Sequence, residues 1–109
     1  MVVGTGIIEL FISESRSLKE KRGILNRLLR RTQNNFNISI AEVGANDHWK
    51  RAIIGFSVVG NDRRYINGKM DHIVNFLSDL RMAEIVSVKC EVMNFSPILP
   101  TDYEEGKYD

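Results

Sequence analysis

The chain has 109 residues and a net charge of +1, with 43% apolar and 27% charged residues. These values are typical of one globular domain with a single two-layer core. The sequence contains no run of about 18 apolar residues that could span a membrane, and its one cysteine excludes an intramolecular disulfide. The start of the chain lacks the basic residues and cleavage site of a secretory signal, so we expect a cytoplasmic protein.

The first half of the chain predicts a strand, a helix and a second strand. The side chains of residues 2–12 show a period of two, which is typical of a strand. Ser17 and Glu20 form a capping box that predicts the start of a helix, and "NNFN" at 34–37 predicts its end. Residues 37–43 predict a short second strand.

The second half repeats this order. Residues 50–60 predict a third strand, and Asn61 or Asp62 is suited to cap a second helix. Residues 85–95 alternate again and predict the fourth strand. The chain then continues into two prolines and an acidic end.

The order βαββαβ predicts an α+β fold of the ferredoxin-like, split βαβ type. Right-handed crossovers place both helices on one face of a four-stranded antiparallel sheet. We expect this domain to occupy residues 1–96, with an acidic C-terminal tail at 97–109. The more apolar strand residues have even numbers, Val86 among them, and are predicted to face the helices.

The other face of the sheet carries several large apolar residues, including Ile7 and Phe11, and no helix remains to cover it. We expect a second copy of the chain, tail residues Ile98, Leu99 and Tyr103, or another partner to cover part of it. A homodimer through this open sheet face is therefore one possibility.

The first helix is strongly basic. Residues 16–31 hold seven Lys and Arg residues and one acid, a local charge of +6. A solvated helix face normally carries Glu–Lys pairs four residues apart, whereas an unrelieved positive face attracts polyanions. We expect a surface that binds RNA or the ribosome. The alternative is a solvated face that binds no partner. The acidic tail could also fold back on the first helix and mask its positive charge.

Two further segments are candidates for the same role. Arg63 and Arg64 occupy the first turn of the second helix, where the macrodipole disfavours positive charge, so they either hold a phosphate or pair with an acid. Trp49 stands beside basic residues and either stacks on a base or caps the core. The predicted nucleic-acid-binding residues are Lys19, Lys21, Arg22, Arg27, Arg30, Arg31, Trp49, Arg51, Arg63 and Arg64.

The sequence offers little for catalysis. His72 lies next to the apolar stripe of the second helix and is interpreted as structural, and Cys90 lies among valines and is interpreted as an inert core thiol. His48 and Asp47 are adjacent, and no nucleophile accompanies them. We expect no enzyme activity, no metal and no cofactor.

Four stretches together resemble the YlxP-like family of short bacterial proteins: "RSLKEKR" (16–22), "FNISIAEVG" (36–44), "HWKRAIIG" (48–55) and "VVGNDRR" (58–64). The resemblance implies a ferredoxin-like fold and supplies no catalytic residue. Genes of this family are often found among those for translation and transcription-termination factors, beside a ribosome-binding factor, which implies a role in translation or ribosome maturation. The matching residues here are Ser17, Lys19, Lys21, Arg22, Glu42, Trp49, Arg51, Asp62, Arg63 and Arg64.

We therefore predict a non-catalytic, RNA- or ribosome-associated protein that contacts phosphates through its first helix. Two alternatives stay open. One is a dimeric small-ligand-binding or regulatory module. Its candidate polar groups on the open face are Glu9, Lys89 and Glu91. The other is a protein–protein adaptor that uses the open sheet face.

Overall fold

The computed structural model describes residues 1–95, which form a four-stranded antiparallel sheet and two helices. The strands lie in the order β2-β3-β1-β4, so the predicted ferredoxin-like α+β fold is confirmed. The predicted tail, residues 97–109, lies outside the described residues. In chain order the elements are β1 (Val2–Phe11), α1 (Leu18–Asn35), β2 (Ser39–Gly44), β3 (Arg51–Gly60), α2 (Arg63–Asp79) and β4 (Glu84–Asn94).

Both helices begin with a side-chain cap. The Ser17 hydroxyl accepts a hydrogen bond from the Glu20 amide at 3.1 Å, and the Glu20 carboxylate accepts one from the Arg16 amide at 2.7 Å. The Asp62 carboxylate accepts a hydrogen bond from the Tyr65 amide at 3.1 Å. These bonds satisfy amides that the first turn of a helix leaves unpaired, which confirms the predicted helix starts.

The core lies between the sheet and the helices, and its strand residues have even numbers in β1, β2 and β3, as predicted. β4 differs, because its pairing with β1 shifts between Glu9 and Leu10. Leu10 pairs with Ile85, so Ile85 packs against the core while Val86 is 55% exposed. The predicted inward position of Val86 is wrong, since an irregularity of this kind interrupts the alternation of faces. The buried apolar side chains of the strands are those of Val2, Ile8, Leu10, Ile40, Ala52, Ile54, Phe56 and Val58.

Two glycines illustrate opposite uses of the residue. Gly6 lies on β1 beneath the ring of Phe56, and a Cβ at this position would overlap the ring. Gly23 lies in the middle of α1, exposed to solvent, and a Cβ there would meet no atom within 4 Å. Packing therefore requires the first glycine and not the second.

Gly6→Ala and Gly23→Ala should change stability in opposite directions. Gly6→Ala should lower the free energy of unfolding by about 1–3 kcal/mol, because Phe56 must leave its position. Gly23→Ala should raise it by up to about 1 kcal/mol, because alanine is the better helix former. Urea unfolding of both variants measures the difference, and effects of the same sign would contradict this packing.

The open sheet face is largely uncovered within residues 1–95. Ile7, Val59 and Phe95 are each more than half exposed on this face or at its edge. Pairing of two copies through this face stays a prediction.

Within residues 1–95, no helix has both the length and the apolar character that crossing a bilayer requires.

Candidate nucleic-acid interface

The two helices bury equivalent positions. Their N-caps, Ser17 and Asp62, are 45 residues apart, and each buried residue of α1 has a buried counterpart 45 residues later in α2. Lys21 therefore occupies the core position that Ile66 occupies in the second helix, and its side chain is fully buried. The buried sets are Lys21, Leu25, Leu28 and Thr32 in α1, and Ile66, Met70, Ile73 and Leu77 in α2.

The Lys21 ammonium is enclosed by four oxygen atoms. It donates to Glu42 Oε2 at 3.0 Å and to the carbonyls of Ala45, Asn46 and Arg51 at 2.9, 3.3 and 3.2 Å. A buried charge is tolerated when it is paired and hydrogen-bonded, and a compact ammonium suits oxygens that converge on one point. Lys21 is one of the predicted nucleic-acid-binding residues. That prediction is wrong, because the ammonium holds the end of β2 and the following loop against α1.

The other cations of α1 point outward and form the surface that we call the α1 basic face. Each of its five side chains is exposed, and within residues 1–95 none lies within 4.0 Å of a carboxylate. The Arg31 guanidinium also lies 3.9 Å from Met82 Sδ. The α1 basic face consists of Lys19, Arg22, Arg27, Arg30 and Arg31.

A shallow groove of about 620 Å³ runs beside the first half of this face. Lys19, Gly23 and Arg27 line it on successive turns of α1, and Glu14 and Glu20 line it as well. The two carboxylates therefore reduce the positive potential near the start of the helix more than near its end. Arg27 and the arginines after it are the strongest candidates for phosphate contacts.

The two arginines at the start of α2 have different environments. Arg64 is exposed and lines a groove of about 500 Å³ together with Asn35, the last residue of α1. The Arg63 guanidinium instead donates to the Val92 carbonyl of β4 at 3.4 and 3.5 Å. Arg64 can extend the α1 basic face, whereas Arg63 is directed towards β4. Neither pairs with Asp62, whose carboxylate caps the helix.

Arg51 and Trp49 lie next to each other in sequence but in different surroundings. Arg51 Nε donates to Glu9 Oε2 at 2.7 Å on the open sheet face. Its side chain therefore lies across the sheet from the α1 basic face, and its predicted phosphate contact stays a prediction. Trp49 lies in the loop between β2 and β3 and is 49% exposed. It is not a member of the core cluster, which disfavours the alternative in which it caps the core, and its stacking on a base stays a prediction.

Cys90 is exposed, not part of the core as predicted. It lies on the helix side of β4, where partial burial, and then the Asp71 carboxylate of α2, raise the pKa of its thiol. The thiol therefore stays protonated at neutral pH, which disfavours nucleophilic chemistry. His72 is exposed and lines the groove beside Arg64. Among residues 1–95, no group of three His, Cys, Asp or Glu side chains is placed to hold a metal ion.

The element order and strand pairing define the chain as a ferredoxin-like domain with an exposed basic helix. Residues 3–90 match the family model described as a protein of unknown function, DUF503. The chain is also 33% identical over 90 residues to the uncharacterized protein YlxP of Bacillus subtilis strain 168, a match that covers 83% of this chain and 98% of YlxP. The chain belongs to this DUF503 family of YlxP-like proteins, which confirms the family resemblance.

The solved structures that are similar to this chain include two with TM-scores below 0.5. The de novo designed protein Foldit4 has a TM-score of 0.48 and 12% identity, covering 88% of this chain and 100% of the design. LarC2, the C-terminal domain of a cyclometallase, has a TM-score of 0.40 and 13% identity, covering 85% of this chain and 56% of LarC2. The fold assignment rests on the strand order and pairing of this chain itself.

Lys21→Met should destabilise the protein, while Lys19→Met, two residues earlier and exposed, should not. The first change removes the ammonium from the Glu42 carboxylate and from the carbonyls of Asn46 and Arg51, whereas the Ala45 carbonyl keeps the His48 amide as a donor. We expect a loss of about 3 kcal/mol, at the low end for a broken buried pair, because Glu42 keeps a 19% exposed side chain. The control should change stability by less than about 0.5 kcal/mol. Chemical denaturation measures both, and equal midpoints would contradict a structural role for Lys21.

Proposed function

We propose that this protein binds the phosphate backbone of RNA through the α1 basic face, without catalysis. The observation that carries the proposal is the set of five exposed cations with no carboxylate within 4.0 Å among residues 1–95. Genes of the YlxP-like family are often found among those for translation factors, which favours an RNA of the translation machinery. We therefore take ribosomal RNA as the RNA to test first.

Electrostatics supports a polyanion as the partner. Like charges on neighbouring turns of a helix repel one another, and a polyanion relieves that repulsion while it releases its own condensed counterions. Four of the five cations are arginines, whose planar guanidinium groups can donate two parallel hydrogen bonds to a phosphate. Contacts of this kind position a protein on RNA without reading its bases, so we expect weak sequence selectivity.

The opposite side of α1 supports the same proposal, because it holds the helix rigidly. Leu25, Leu28 and Thr32 are buried against the rest of the core, and Lys21 joins the first turns to β2 and its loop. The cations therefore project from an ordered element, which lowers the entropy that binding must remove.

The small-ligand alternative has weaker support. Of its three polar groups on the open face, Glu9 is held by Arg51 at 2.7 Å. Lys89 and Glu91 lie 4.0 Å from each other, and their side chains are 77% and 64% exposed. Ligand sites are usually concave and enclose most of the ligand, so we favour the α1 basic face.

The direct test is a charge reversal that leaves the core intact. Arg27→Glu combined with Arg30→Glu should weaken binding to ribosomal RNA at least tenfold, because it removes two phosphate contacts and adds two repulsive charges. Arg31 is left unchanged, since it contacts Met82. Co-sedimentation with ribosomal particles and fluorescence anisotropy with a fragment of ribosomal RNA measure the loss.

The matched control reverses two exposed cations elsewhere. Arg81→Glu combined with Lys89→Glu changes the net charge by the same amount, and both side chains lie outside α1. This control should retain nearly all of the wild-type affinity. If both double variants lose binding equally, net charge rather than the α1 basic face is responsible, and the proposed site is wrong.

A further inference from the structure

The exposed tryptophan lies outside the core cluster, on a loop whose backbone is held by hydrogen bonds. Trp49 is the single tryptophan of the chain, its side chain is 49% exposed, and it does not belong to the core cluster. Large aromatic residues are normally buried because they carry so much apolar surface. Its exposure therefore requires an explanation that the packing of this domain does not supply.

The loop that carries Trp49 is anchored on both sides. Before the tryptophan, the carbonyls of Ala45 and Asn46 accept hydrogen bonds from Lys21 Nζ at 2.9 and 3.3 Å. After it, the Lys50 carbonyl accepts a hydrogen bond from the Ile12 amide at 2.7 Å. Lys50 Nζ also donates to the Ser13 carbonyl at 2.7 Å. The indole is thus presented from a fixed backbone, and a ligand that contacts it would not have to order the loop.

The same anchoring places Trp49 beside positive charge. Lys21 lies between Lys19 and Arg22 in α1, so its hydrogen bonds hold Ala45 and Asn46, at the start of the loop, against the turn from which these two cations project. Lys50 Nζ lies 6.0 Å from the centre of the indole ring system. An aromatic platform next to cations is the arrangement by which proteins hold single strands, with bases stacked on the ring and phosphates on the cations.

We propose that Trp49 stacks on an unpaired base of single-stranded RNA whose phosphates lie along the α1 basic face. This inference rests on the proposed function and adds the class of RNA. In a duplex the bases are stacked on one another and not available to the indole. The protein should therefore distinguish single strands from duplexes through Trp49, while the cations of α1 act on both.

The experiment compares Trp49→Ala and Trp49→Phe with the wild-type protein, using a uridine decamer and a ten-base-pair RNA duplex as probes. Trp49→Ala should weaken binding of the decamer by roughly 5- to 150-fold, the range for loss of one stacked base, and binding of the duplex by less than about twofold. Trp49→Phe should retain part of the decamer affinity. Because Trp49 is the only tryptophan, its emission should be quenched by the decamer and not by the duplex.

Tyr65→Ala is the matched control, because Tyr65 is a similarly exposed aromatic, at 57%, on the first turn of α2. It should bind both probes as the wild-type protein does. Unchanged decamer binding by Trp49→Ala, with unquenched emission, would overturn the stacking proposal. In that case a loss in Arg27→Glu/Arg30→Glu would still support the proposed function. If the wild-type protein binds neither probe nor ribosomal RNA, both proposals are wrong.

Discussion

One buried ammonium connects the parts of this molecule that matter for its proposed function. Lys21 Nζ joins α1 to the Glu42 carboxylate of β2 and to three carbonyls of the chain that follows. One of these belongs to Ala45, whose backbone has a left-handed φ of 57°, a conformation that costs about 1–2 kcal/mol for a residue with a Cβ. The hydrogen bond from Lys21 helps to offset that cost and fixes the path of the loop.

The same helix thus uses its cations in two ways. Lys21 lies inward, where its charge is neutralised by Glu42 and its donors are satisfied. The cations of the α1 basic face lie outward, where the described residues provide no carboxylate partner. The inward lysine fixes the helix and the loop that presents Trp49. The outward cations give the surface of α1 a positive electrostatic potential. One structural contact thus joins α1 to the loop that carries Trp49, the two elements of the proposed site.

The sequence predicted the fold correctly, because periodicity and capping are local properties. Ser17 and Asp62 identify the helix starts, and the alternation in β1 and β3 identifies the buried face. Val86 was misplaced because the shift in β4 pairing depends on contacts distant in sequence. Arg51 has an odd number, and the odd-numbered residues of β3 face away from the helices. Its position on the open face was therefore predictable, but Arg51 was grouped with the other basic residues by charge alone.

Lys21 was the main error in the predicted site, since a lysine in a basic run suggests exposure. The 45-residue correspondence between the helices could have revealed it, because it aligns Lys21 with Ile66 and not with a surface residue. Glu42, at an inward position of β2, was the second available signal. To predict that Glu42 pairs with Lys21, one must know that β2 lies under α1. The strand order of the fold gives that information.

The dependence of RNA affinity on salt tests the central claim most directly, because it counts the phosphates that the protein neutralises. If all five members of the α1 basic face contact a single strand, the logarithm of the association constant should fall with the logarithm of salt concentration with a slope of about −3.5. A slope near zero for the wild-type protein would contradict the account, because binding would then not depend on phosphate contacts.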